Sequence, residues 1–140
     1  MKGAVMADAG KPLPEVTEET RPFWESAKRH ALELQRCTGC GRFRYPVTTF
    51  CPACLSDGVE WTPVSGRGTV YSFVVMHQVY HPAFRDDVPY NVAAIAFEEG
   101  PRMYSNVVGC PNDAIQVGMP VEIVYDDVTD EVTLPKFRPA

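Results

Sequence analysis

Long hydrophobic runs are missing from this chain of 140 residues. None of its stretches approaches the roughly 20 consecutive apolar positions of a membrane span, so no spanning helix is expected. Positive charge is also scarce. Thirteen Lys and Arg stand against eighteen Asp and Glu, for a formal net charge of −5. That balance argues against nucleic-acid phosphate binding as the main business, because that affinity is supplied by Lys and Arg. The opening segment, MKGAVMADAGKPLPEVTEET, has no apolar core of signal-peptide length and turns polar quickly. The expectation is therefore a cytoplasmic, reducing location. Internal repeats and low-complexity runs are absent as well, while 45% hydrophobic residues suffice for a real core.

Against these absences stand five cysteines. In a reducing compartment they point to metal or catalysis rather than to disulfides. Four form two Cys-x-x-Cys pairs, Cys37/Cys40 and Cys51/Cys54, joined by GRFRYPVTTF. A tight turn brings both thiolates of such a pair to one side of the backbone. Two pairs at this spacing predict a tetrahedral four-sulfur site, with zinc favoured and iron the chemical rival. A closed site of this kind leaves no position for water or substrate, so the cysteines predict a clasp and not a catalyst.

The remaining segments sort by period. Residues 1–19, with their prolines and acids, read as a flexible arm. Thr20 is placed to cap a helix and Pro22 fits its first turn. Trp24, Ala27, Ala31 and Leu34 recur at helical spacing, predicting a helix from Arg21 to about Gln35, within a unit of residues 20–36. The ribbon follows over 37–62. From 63 to 140 the pattern becomes β-rich: GRGTVYSFVVMHQVY, a hairpin from about Tyr90 to Val108, and two strands around an acidic turn at Asp126 to Asp130. Five antiparallel strands, with at most a short turn near Pro111 to Ile115, predict a small barrel of OB type.

Other candidate residues are weaker. His77 and His81, near Arg85, Asp86 and Asp87, admit an acid–base pair, but a polar surface loop is the favoured reading. Cys110 is a lone thiol that nothing nearby activates. Lys28, Arg29, Arg36, Arg42 and Arg44 make a basic island in an acidic chain, able to meet the phosphates of coenzyme A or a nucleotide, or simply to be a solvated face. A single-stranded nucleic-acid module is the competing reading of a ribbon plus OB-fold. It would recruit Tyr90, Phe97 and Tyr104, which lack interleaved cations.

In order, FW, CTGCG, RYP, CPAC, SGRGTVYSF, VPYNVAAIAFEEG and VGMPVEIVY resemble the DUF35 family of acyl-CoA-associated proteins, over about Pro22 to the C-terminus. The resemblance implies a mainly β fold: an N-terminal helix or helical hairpin, a rubredoxin-like zinc ribbon and a C-terminal OB-fold. It implies a non-catalytic accessory subunit of a thiolase-superfamily enzyme (thiolase, acyltransferase or aldolase), which helps assemble a hetero-oligomer and shape the channel for the phosphopantetheine arm. Cys37, Cys40, Cys51 and Cys54 match its zinc ligands.

Overall fold

A computed structural model describes residues 10–140. Of the arm expected over 1–19, residues 1–9 lie outside the described part. Within the remainder Leu13 is buried and Lys11 Nζ lies 2.6 Å from Asp87 Oδ2. No described helix is long and apolar enough to cross a membrane.

The one α-helix among the described residues, α1, runs Arg21–Lys28 and buries Phe23, Ser26 and Ala27. Thr20 holds the N-cap position, but its hydroxyl turns back to Thr17 and caps nothing. The helix stops well short of Gln35. His30 takes a left-handed backbone, φ 61°. Its N–H bonds the carbonyl of Ala27, and that of Ala31 bonds the carbonyl of Ser26. This pair of bonds is a Schellman ending, a place usually taken by glycine. His30 tolerates it because its ring is tied down from outside the helix. The ring stacks on Tyr125 at 4.7 Å, and Nε2 lies 2.9 Å from Asp127 Oδ1. Residues that were expected to continue the helix leave it and become a strand, β1 (Glu33–Cys37).

β1 is the centre of a three-stranded antiparallel sheet. Its neighbours are the two-residue β2 (Phe43–Arg44) and β3 (Val59–Pro63). The five strands expected after residue 65 follow as β4 (Arg67–Met76), β5 (Tyr90–Phe97), β6 (Arg102–Ser105), β7 (Pro120–Asp127) and β8 (Thr133–Pro139), with a 3-10 turn at Asn112–Ala114. They pair antiparallel in the order β6-β5-β4-β7-β8. The sheet curls until its ends meet: Val108 N–H donates to Phe137 O and Phe137 N–H to Asn106 O. Gly68 permits the tight β4–β5 crossing, since a Cβ there would sit 2.5 Å from the carbonyl oxygen of Ala96.

Inside the curl lie Val70, Ile95, Phe97, Met103, Val107, Val121 and Phe137, with Phe97 and Phe137 meeting edge to face at 5.8 Å. Phe23, Leu32 and Leu34 extend this core under the helix and ribbon. At the same junction the amide of Leu32 donates to the Tyr125 hydroxyl. Helix, ribbon and barrel therefore share one apolar interior.

Candidate metal centre and its flanking surfaces

Each cysteine pair sits on a turn built the same way. Cys37 N–H bonds Arg42 O and Gly41 N–H bonds Cys37 O; Cys51 N–H bonds Ser56 O and Leu55 N–H bonds Cys51 O. The residue four places after the first cysteine is left-handed in both turns, Gly41 at φ 81° and Leu55 at φ 66°. Glycine accepts that backbone without strain, whereas leucine does so at a cost.

The two turns face each other and bring Cys37, Cys40, Cys51 and Cys54 together, with all four sulfurs within 4.8 Å of one another. Cys37 Sγ lies 3.6 Å from Cys54 Sγ, and Cys40 Sγ lies 3.7 Å from Cys51 Sγ. With zinc–sulfur bonds of about 2.3 Å, a regular tetrahedron spaces its sulfurs about 3.8 Å apart. The geometry fits zinc. Backbone amides reinforce it. The Cys40 amide and then that of Gly39, 3.3 Å from the sulfur, help to lower the Cys37 thiol to about 6. The amides of Cys54 and Ala53 lower Cys51 in the same way. Cys54 is pushed up to about 11: the Ser56 amide pulls it down, but the Cys37 sulfur, burial and the other two sulfurs outweigh that pull. Without a cation, four thiolates cannot crowd this closely. With one, all four ionise. Cys37 and Cys51 are buried while Cys40 and Cys54 are exposed, so the site lies at the rim of the ribbon.

The basic island is divided by strand geometry. Gln35 pairs with Arg44 and Arg36 with Phe43, so Arg36 and Arg44 point to opposite faces of the small sheet. Arg44 is buried: Nη2 donates to Thr48 O, while Nε and Nη1 are buried without a partner among the described residues. Arg36 lies over the Phe43 ring and donates to Gly41 O. Arg29 faces Glu33 at 3.5 Å. Lys28 and Arg42 are exposed.

His77 is exposed on the loop after β4. His81 caps a 3-10 turn, its Nδ1 accepting from the Ala83 amide, and Asp87 is held by Lys11. Neither histidine hydrogen-bonds a carboxylate among the described residues. The histidine that does is His30, whose partner is 97 positions away. Nothing in the sequence marked that pair, because only the fold brings α1 to β7. Thr133 and then His30 hold Asp127 below the usual carboxylate range. Cys110 is half-buried against the core.

Among the aromatic candidates, Phe97 is in the core and Tyr90 is partly covered by Phe84. Tyr104 is 80% exposed. Tyr71, which went unnoticed in the sequence, is 52% exposed at the β4 bulge, with the Arg102 guanidinium 4.0 Å from its ring centre. No pattern forecast Tyr71, because the bulge between Val70 and Ser72 breaks the alternation that assigns faces.

Residues 24–60 match the family described as ChsH2, rubredoxin-like zinc ribbon domain, and residues 61–126 match ChsH2, C-terminal OB-fold domain. The chain is 39% identical over 93% of its length to a probable enoyl-CoA hydratase alpha subunit of Thermomonospora curvata, spanning only 40% of that longer protein. It is 34% identical to a DUF35 domain-containing scaffold protein of Methanothermobacter thermautotrophicus, covering 83% of this chain and 87% of the relative. Among solved structures it superposes on a chain of an Ltp2-ChsH2(DUF35) aldolase with TM-score 0.81 at 38% identity, over 91% of this chain and 98% of that one. A four-cysteine zinc ribbon carried on an OB-fold, matched along nearly its whole described length, makes this chain a member of the DUF35 family.

Proposed function

We propose that the chain is the accessory subunit of a thiolase-superfamily complex acting on acyl-CoA, where it helps to assemble the complex and to hold or channel the coenzyme A moiety. The observation that carries this reading is the near full-length similarity to the DUF35 chain of an aldolase, at 38% identity. The chemistry of the chain is consistent with it. Four sulfurs saturate a zinc ion, so Cys37, Cys40, Cys51 and Cys54 would hold the metal as a staple. A saturated zinc supplies rigidity and no Lewis-acid position. In this reading bond-making belongs to the partner. Lys28, Arg29, Arg36 and Arg42 present charge toward solvent beside the ribbon and are the candidates for the phosphates of coenzyme A. Arg44 would serve from beneath, holding the Thr48 turn.

Co-expression with candidate thiolase-superfamily subunits from the same genome tests the proposal. The expected outcome is a stable hetero-oligomer that turns over an acyl-CoA, with neither chain matching that rate alone. Equal turnover by this chain alone would overturn it. Salt-sensitive capture of single-stranded nucleic acid, with no complex formed, would put the competing module in its place.

A further inference from the structure

Among the described residues nothing pairs with the outer side of β6, which is an open sheet edge. Phe97 N–H donates to Pro101 O at 2.8 Å, which fixes the phase of the β5–β6 ladder. In antiparallel pairing, opposed residues alternate between bonded and non-bonded pairs. Ile95/Met103 and Ala93/Ser105 are therefore bonded pairs, while Ala96/Arg102 and Ala94/Tyr104 are not. The N–H and C=O groups of Arg102 and Tyr104 point away from β5. No described residue takes them, since the sheet closes onto β8 only from Ser105 onward. Bare strand edges of this kind are usually covered or blunted by charge.

Three further observations surround this edge. A cleft of about 660 Å³ runs beside it, bounded by Tyr45 and Pro46 of the ribbon and by Tyr71, Arg102 and Tyr104 of the barrel. The adjoining sheet face is apolar and exposed, with Val74 56%, Tyr71 52% and Tyr104 80% accessible. Arg102, stacked on Tyr71, has no carboxylate partner among the described residues, unlike Arg67 and Arg138, which pair with Glu98 and Glu122.

Resting on the accessory-subunit reading above, we infer that β6 receives an extended segment of the catalytic partner, which adds a strand along Arg102–Tyr104, lays apolar side chains over Tyr71 and Tyr104, and presents an acidic side chain to Arg102. The occupant follows from the chemistry. Alternating main-chain donors and acceptors at strand spacing are matched by another extended peptide, whereas neither a nucleic acid nor coenzyme A carries such a ladder. A second copy pairing its own β6 here would match the ladder, but that strand, Arg102–Ser105, brings another arginine and no acid. Charge complementarity therefore selects a partner segment.

The test uses the full chain co-expressed with the thiolase-superfamily subunit with which it forms a complex. Hydrogen exchange at the amides of Arg102 and Tyr104 is expected to slow at least about tenfold on complex formation. Tyr104→Pro removes the outward N–H together with the exposed ring, and Arg102→Glu reverses the charge. Each is expected to weaken the complex by about tenfold or more, roughly the worth of one charged or main-chain hydrogen bond. Val117→Glu, which alters an exposed apolar residue elsewhere, is expected to leave affinity unchanged. A complex that forms with β6 amides unprotected, or that ignores Arg102→Glu in a folded variant, overturns this inference and leaves the accessory-subunit reading standing. Absence of any complex with the wild-type chain overturns both. Concentration-dependent protection of β6 in the chain alone would make a second copy the occupant and overturn the partner assignment.

Discussion

The ribbon and the barrel are two small antiparallel sheets in one chain, held by different forces. The barrel buries Val70, Ala93, Ile95, Phe97, Met103, Val107, Val121 and Phe137, each less than 5% exposed. The ribbon sheet, from Glu33 to Pro63, contributes to the buried apolar set only Leu34 besides Cys37 and Cys51 themselves. One of its strands is two residues long. Such a sheet cannot offset its own ordering entropy by apolar burial. Four sulfurs about a tetrahedron's edge apart supply what the missing core does not. Burial tolerates many sequences of similar volume, while coordination tolerates almost none. The ribbon is therefore written in four exact letters, and the barrel in a pattern.

The difference can be broken from either side. The largest effect is expected at the metal. Cys51→Ser, or chelation of the wild-type chain, should remove about one zinc per chain and release amide exchange across β1 to β3, because structural zinc contributes on the order of 10 kcal/mol to such folds. The β4 and β5 amides should remain protected. If barrel protection collapsed equally, the shared interior at Phe23, Leu32 and Leu34 would be coupling the two sheets into one unit, and the contrast would be wrong. Phe137→Ala attacks the barrel instead. Phe137 is fully buried and meets Phe97 edge to face, so its loss should cost about 3–5 kcal/mol in a denaturant titration. Zinc content should stay unchanged in whatever fraction is folded. The smallest effect sharpens the contrast inside the ribbon. Leu55 repeats Gly41 in left-handed backbone and is 74% exposed, so Leu55→Gly should relieve strain and slow zinc release. The gain is expected at up to about 1 kcal/mol, the left-handed cost less the extra entropy of glycine. Faster release would mean that the exposed leucine packs on something that outweighs its backbone strain.

Much of this architecture could be read before any coordinates were known. The cysteine spacing named its own ligands, since two Cys-x-x-Cys turns allow few other uses. The five strands and the short turn near Asn112 follow from alternation and turn residues, and their borders agree to within a few residues. The helix end was misread because its stop signal is a histidine. His30 takes a backbone that glycine would have advertised, and it does so only because Tyr125 and Asp127 lie beside it in space. The basic island looked like one surface from Lys28 to Arg44. Strand pairing instead divides it, turning Arg36 outward and burying Arg44.

By itself, then, the sequence determined what depends on spacing along the chain: the metal ligands, the strand periods and the family. Only the tertiary structure decided what depends on which distant residues meet. It closed α1 with a residue from β7, put Tyr71 on a bulge beside Arg102, and left the Arg102–Tyr104 edge of β6 open while closing the barrel just beyond it. Local patterns fix side-chain direction within an element. Pairing across the fold, and the places where that pairing stops, belong to contacts that no local period encodes.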